Sequence, residues 1–166
     1  MTLPDGMRGG IAPSDDARNA GYCEAQAALI VVEATPMGVR CALAEMRRRF
    51  APAGPGPDLL GMAETVLAEA LNNVVEHAYR HGGNGPIELR LVHCGTKLKV
   101  DLRDYGDPMP AGVLPGGALP DYGGSGDGPP EGGFGWFLIR ALARDLSYIR
   151  ENGQNRLRFL VPLAEA

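Results

Sequence analysis

Alternation governs the second half of the chain. IELRLVH (87–93) and LKVDLRD (98–104) place apolar residues at alternate positions. Period two marks a strand with one buried face. The short CGTK link between them predicts an antiparallel hairpin. SYIRE and RLRFLVPL repeat the arrangement around ENGQN, predicting a second hairpin at the end of the chain. A helical period appears elsewhere. Leu59, Ala63, Val66, Leu67, Ala70, Leu71, Val74, Val75 and Ala78 follow the i, i+3, i+4 rule, which predicts a helix over about 59–80 with Asp58 as its cap. ALIVVEA (28–34) reads as a strand. Thr35-Pro36 then offers an N-cap followed by proline in the first turn, opening a helix from about Pro36 to Phe50 that APAGPGP (51–57) ends. FGWFLIRALARDL (134–146) is an apolar helix.

The order is β-α-α-β-β-loop-α-β-β. It predicts an α/β fold, a two-layer sandwich with helices on one face of a mostly antiparallel mixed sheet. Residues 1–22 lack periodicity and read as a mobile tail, leaving 23–166 as a single domain.

Composition changes this picture in three places. The formal net charge of −4 gives no reason to expect general affinity for nucleic acid or acidic membranes. Three scattered cysteines without a CxxC pair, and no leader-like or spanning segment, point to a cytoplasmic protein with reduced thiols. Glycine is concentrated: residues 105–135 hold eleven glycines and six prolines, so no regular element survives there. A loop that long in a compact domain is a functional lid or a disordered insertion.

One helix has a second stripe. Beside the apolar face of ETVLAEALNNVVEHAY (64–79), Glu69, Asn73 and His77 recur four residues apart, with Glu76 and Arg80 close by. A solvated face would look the same. The residue types also suit a nucleotide: the Asn73 carbonyl oxygen can ligate Mg²⁺, and Glu69 can accept a proton from a group attacking a phosphate. His77 can hydrogen-bond a phosphate or shape the hinge of the lid. The loop ends add two further signals. Asp104-Tyr105-Gly106 closes a strand, where a carboxylate can accept from the exocyclic amine of adenine and glycine lets backbone approach the base. Gly132-Gly133-Phe134-Gly135 opens an apolar helix, a natural anion site. No lysine-serine pair follows it, so a P-loop does not fit.

E-x-x-x-N on a helix, D-x-G after a hairpin and GGxGxxLI opening a helix, in this order, resemble the N, G1 and G2 boxes of the GHKL ATPase superfamily over about residues 28–162. Within it, EALNNVVEHAY and DYGDPMP look most like the anti-sigma-factor serine/threonine kinases. The resemblance implies a histidine-kinase-like ATPase fold with an ATP lid at about 105–133. It implies ATP and Mg²⁺ as cofactors, Glu69 as the general base and Asn73 as the metal ligand. Asp104 and Gly106 would hold adenine, Gly133 and Gly135 would support the phosphates, and Gly132 would form the lid hinge. The partners implied are a sigma factor and a small antagonist protein phosphorylated on serine or threonine, with no direct nucleic acid or membrane contact, and a homodimer. Pro108 stands where a longer D-x-G-x-G pattern has its second glycine. Two other readings remain open at this point: a non-catalytic module gated by ATP, and a histidine-kinase-like ATPase domain of a two-component system.

Overall fold

The computed structural model describes residues 26–53, 56–80, 82, 85–117 and 134–163. The N-terminal tail, Gly132, Gly133, Tyr122 and the greater part of the expected lid lie outside the described residues.

Five strands form one sheet in the order β1-β2-β3-β5-β4. They are β1 (Gln26–Glu33), β2 (Pro86–Cys94), β3 (Lys97–Asp104), β4 (Arg144–Glu151) and β5 (Gln154–Pro162). Every pairing is antiparallel, so the expected mixed sheet is corrected to a purely antiparallel one. The reason lies in the connections. Two-residue turns make β2-β3 and β4-β5 hairpins, and β3 receives β5 on its free edge. Asn152 and Gly153 both have positive φ (51° and 80°), as a tight hairpin turn requires, so the second turn is shorter than ENGQN suggests.

Three helices cover one face: α1 (Pro36–Phe50), α2 (Pro57–Asn73) and α3 (Phe134–Leu142). Thr35 caps α1 through its hydroxyl, which accepts from the Gly38 N–H at 3.0 Å. At α2 the cap is Gly56 rather than Asp58. Pro57 takes the first helical position, where its fixed φ and missing N–H cost nothing, and Asp58 falls in the first turn. Helix α3 stops earlier than its apolar run predicts. Asp145 adopts φ 53° at a register shift between Arg144 and Ser147, and these residues join β4.

The inward positions of the strands meet the apolar stripes of the helices. Ile87, Leu89, Leu91, Leu98, Leu102, Phe159 and Val161 of the sheet pack with Met46, Phe50, Leu67, Leu71 and Ile139, all fully buried. Each such side chain contributes about 1.5–3 kcal/mol relative to exposure. Trp136 and Phe137 are only half-buried; Ile139 is the fully buried residue of α3. Among the described residues no helix is long and apolar enough to cross a membrane.

Candidate functional site

Regular α-helix ends at Asn73. Val74–Ala78 forms a single π-helical turn, closed by the Tyr79 N–H bonding to the Val74 carbonyl at 3.0 Å. A π turn holds more residues than an α turn, so it re-aims the side chains that follow. It faces a cavity of about 500 Å³ between the ends of α2, β3, α3 and the β4-β5 hairpin. Asn73, Glu76, His77, Asp104, Trp136, Tyr148 and Asn155 are among its lining residues.

The end of β3 lies directly against the π turn. A Cβ added at Gly106 would stand 2.5 Å from the Ala78 carbonyl oxygen, so only glycine fits without a shift. The Asp107 N–H bonds that same carbonyl at 2.8 Å. Arg80, with φ 49°, pairs with Asp107 at 2.7 Å. These contacts fix the loop after β3 to the end of the helix.

Asp104 is 4 % exposed and sits at the base of the cavity. Its Oδ1 accepts from the Gly106 N–H at 3.0 Å and from Asn155 Nδ2 at 2.7 Å. No hydrogen bond reaches its Oδ2 among the described residues. Burial pushes the Asp104 carboxyl above the usual carboxylate range, against the opposing pull of Asn155, the Gly106 N–H and the Arg150 charge. Asn155 is itself buried, and its Oδ1 accepts from Tyr148 Oη at 2.7 Å and Arg150 Nη1 at 2.6 Å. Tyr148 Oη in turn accepts the Met109 N–H at 3.0 Å. Asn155, Tyr148 and Arg150 were not signalled by any motif. One clue was available: Asn155 occupies an inward phase of β5, with Leu157, Phe159 and Val161, where a polar residue needs a buried partner.

The other end of the cavity is less complete. Asn73 Nδ2 is buried and has no hydrogen-bond partner among the described residues. Glu69 is half-buried on the same helix face, one turn earlier, but it does not line the cavity. The start of α3 rests on it: a Cβ at Gly135 would lie 2.6 Å from Glu69 Oε2 and 3.7 Å from Asn73 Nδ2. Glu69, Asn73 and Gly135 are thus brought together as expected, whereas Gly132 and Gly133 fall outside the described residues.

The unpartnered Asn73 amide suits the groups the sequence implies. Its nitrogen can donate to a phosphate oxygen; turned by half a rotation, it offers a carbonyl oxygen of the kind Mg²⁺ takes. Among the described residues there is no cluster of three or more His, Cys, Asp or Glu side chains able to hold a metal. A cation here would draw most of its ligands from phosphates and water, which is the usual habit of Mg²⁺.

Other polar and charged side chains have partners of their own. Arg140 Nε donates to the Pro115 carbonyl at 2.7 Å and so holds the first part of the loop rather than a phosphate. Tyr105 is 49 % exposed and bonds Glu88 and Gln154, away from the cavity. The Arg47-Arg48-Arg49 run pairs with Glu64 and Glu45 at the end of α1.

Comparison with known proteins shows the family of the chain. The family described as "Histidine kinase-like ATPase domain" matches residues 32–161. The serine-protein kinases RsbW of Staphylococcus aureus strains MSSA476 and JH9 are each 31% identical to the chain over 106 residues, covering 63% of this chain and 67% of theirs. The crystal structure of the RsbU and RsbW domains of Rv1364c from Mycobacterium tuberculosis shares the fold, with a TM-score of 0.58 and 17% identity. That match covers 84% of this chain and 33% of the other, so the present chain spans about a third of it. The chain belongs to the histidine kinase-like ATPase domain family, with serine-protein kinases of the RsbW type among its relatives.

Proposed function

We propose that this protein is an ATP- and Mg²⁺-dependent protein serine/threonine kinase that acts as an anti-sigma factor in a partner switch. The observation that carries the reading is Asn73, its Nδ2 unpartnered among the described residues, lining one end of a cavity whose other end is Asp104, with Glu69 one turn earlier on the same helix face. In this reading Asp104 accepts a hydrogen bond from the adenine amine through Oδ2, and Gly106 keeps the backbone low beneath the base. Asn73 and His77 face the phosphates, with Asn73 supplying an oxygen to Mg²⁺. Bound Mg²⁺ supplies neutralisation of phosphate charge. Gly133 and Gly135 offer backbone N–H groups to the phosphates, and Gly132 serves as the hinge of the lid.

The substrate hydroxyl of a small antagonist protein attacks the γ-phosphorus. The bond to the β-γ bridging oxygen breaks, ADP leaves, and Glu69 takes the hydroxyl proton. Such transfer relies on positioning and charge stabilisation, with general-base help worth about 10²–10⁴-fold. Glu69 packs against the start of α3 at Gly135, so its carboxylate or the helix shifts as the partner's hydroxyl enters. For sigma factor, the β1-α1 region is the docking candidate: Leu29, Val31 and Met37 there are 60%, 67% and 64% exposed. A homodimer through the same region is the competing use of those residues.

The position of Glu69, half-buried against the start of α3, also favours a second reading, a non-catalytic module whose shape is set by ATP. Labelled ATP and Mg²⁺, mixed with small antagonist proteins of the partner-switch type, separate the two. Acid-stable label on a partner serine or threonine, lost in Glu69→Ala, is the expected result. ATP binding and partner binding with no transfer would leave the gated module. Acid-labile label would point to histidine as acceptor.

A further inference from the structure

We propose that Asn155, held in one orientation by Tyr148 and Arg150, is a positioning residue that keeps Asp104 a hydrogen-bond acceptor and so sets the preference for a 6-amino over a 6-oxo purine nucleotide. The inference rests on the nucleotide reading of the cavity. Its geometry is specific. An amide has two faces of opposite character, and only one of them suits a carboxylate. Both donors that reach Asn155 Oδ1, Tyr148 Oη at 2.7 Å and Arg150 Nη1 at 2.6 Å, select the orientation that turns Nδ2 toward Asp104. Nδ2 then donates to Asp104 Oδ1 at 2.7 Å and to the Asp107 carbonyl at 3.0 Å. A flipped amide would set oxygen against the carboxylate and lose the bonds to Asp104, Asp107 and Arg150; the Tyr148 hydroxyl alone could reverse its role.

The consequence falls on the free oxygen. With Oδ1 taken by Asn155 and Gly106, Oδ2 is the atom left for a ligand. While Asp104 is ionised, Oδ2 accepts from an exocyclic amine and repels a carbonyl oxygen. A protonated Asp104 reverses this, because its O–H can donate to the 6-oxygen of guanine. Which form exists is decided by the surroundings. Arg150 and Tyr148 face Asp104 from β4. Tyr79, His77, Glu76 and Arg80 come from the helix end, and Tyr105 and Asp107 from its own loop. Of these, only Arg150 brings positive charge to Asp104 without being paired to another carboxylate: Arg80 is already paired with Asp107. Burial favours the neutral acid, so Asn155 and Arg150 act against a standing tendency.

The test is a titration of fluorescent ATP and GTP analogues against the full chain, at about pH 6 and about pH 8, on either side of the neutral point. Wild type, Asn155→Leu and Tyr148→Phe would be compared. Leucine keeps the volume and removes the donor. For Asn155→Leu the ratio of ATP to GTP affinity is expected to fall about tenfold or more at the lower pH, the scale of a lost bond to a charged group. Part of the ratio should return at the higher pH, where Asp104 ionises again. Tyr148→Phe, which only loosens the amide, should lie between the two. A uniform loss for both nucleotides, with the ratio unchanged at both pH values, would mean a merely structural role and would overturn the proposal. Should Asn155→Leu fail to fold, an unchanged ratio in Tyr148→Phe overturns it equally. A wild-type protein that binds neither analogue would sink the nucleotide reading itself, and the proposal with it.

Discussion

The two ends of the cavity are built on different terms. At the Asp104 end nearly every polar group has its partner within the protein. Asp104, Asn155, Tyr148, Arg150 and the Gly106 and Met109 backbone form one connected network. At the Asn73 end a buried amide has no partner, and the neighbouring carboxylate of Glu69 is covered by the start of a helix. A buried polar network stiffens a site when it is fully satisfied, and a buried group left unpaired costs about 1–3 kcal/mol. The first end is therefore shaped before any ligand arrives. The second awaits a ligand to complete it. A site that fixes one part of a molecule and closes over the other is suited to holding a base while phosphate chemistry proceeds elsewhere.

Substitutions that remove the same kind of group at both ends put this contrast at risk, and the largest effect is expected where the chemistry would occur. Glu69→Ala should lower phosphoryl transfer about 10²–10⁴-fold, the usual worth of a general base, while nucleotide affinity stays within about threefold. Initial rates beside binding titrations decide this. Equal losses in both would make Glu69 a binding group.

Gly106→Ala comes next. Its Cβ would meet the Ala78 carbonyl at 2.5 Å, so β3 and the π turn have to separate. Overpacking of this kind costs about 1–3 kcal/mol, visible as a lower unfolding midpoint in urea. An unchanged midpoint would mean that the two elements are not held together as described.

The sharpest contrast uses one change at two places. Asn155→Leu should destabilise the ligand-free protein by about 1–3 kcal/mol, because it strands Asp104, Tyr148 and Arg150. Asn73→Leu removes a buried Nδ2 that has no partner among the described residues, so ligand-free stability should be unchanged or higher, while Mg²⁺-dependent nucleotide binding falls. Denaturant unfolding of both variants, with and without nucleotide, checks the signs. The same sign at both positions would erase the distinction between the ends.

The smallest effect is far from the cavity. Arg48 and Arg49 hydrogen-bond the Glu45 carboxylate and hold its pKa at about 2 rather than 4.5. A carboxyl depressed on folding stabilises the protein above its unfolded pKa, and this contribution fades as pH falls toward the folded value. The group is exposed, so the effect is small. Glu45→Gln should lie slightly below wild type in thermal midpoint at neutral pH, with the gap closing in acid. A gap that widens in acid would reverse the assignment.

How far the sequence reached follows from these same residues. Alternation placed β2, β3 and β5 because a slip of one position would turn the apolar set to solvent, whereas the start of β4 was read as helix. Thr35-Pro36 fixed the start of α1 because capping is local. Asp104, Asn73 and Gly135 stood out through motif order, and they do converge. The π turn was hidden, since Val74–Ala78 fits an α-helical stripe equally well; its extra residue depends on packing with Gly106 and Asp107. Asn155 was hidden for another reason. Its partners come from the far end of β3 and from β4, and a lone polar residue next to a turn reads as part of the turn. The Arg140 bond to the Pro115 carbonyl was hidden because nothing in a helix pattern reveals a partner 25 residues earlier.

The most direct measurement of the central claim is a crystal structure with a non-hydrolysable ATP analogue and Mg²⁺. The predicted complex has the 6-amino group on Asp104 Oδ2, the Asp104-Asn155 bond unchanged from its present 2.7 Å, the Asn73 amide oxygen on the cation, and Glu69 uncovered toward the γ-phosphate. A nucleotide seated elsewhere, or a base in this cavity with Asn73 still unpartnered and Glu69 still beneath Gly135, would contradict it.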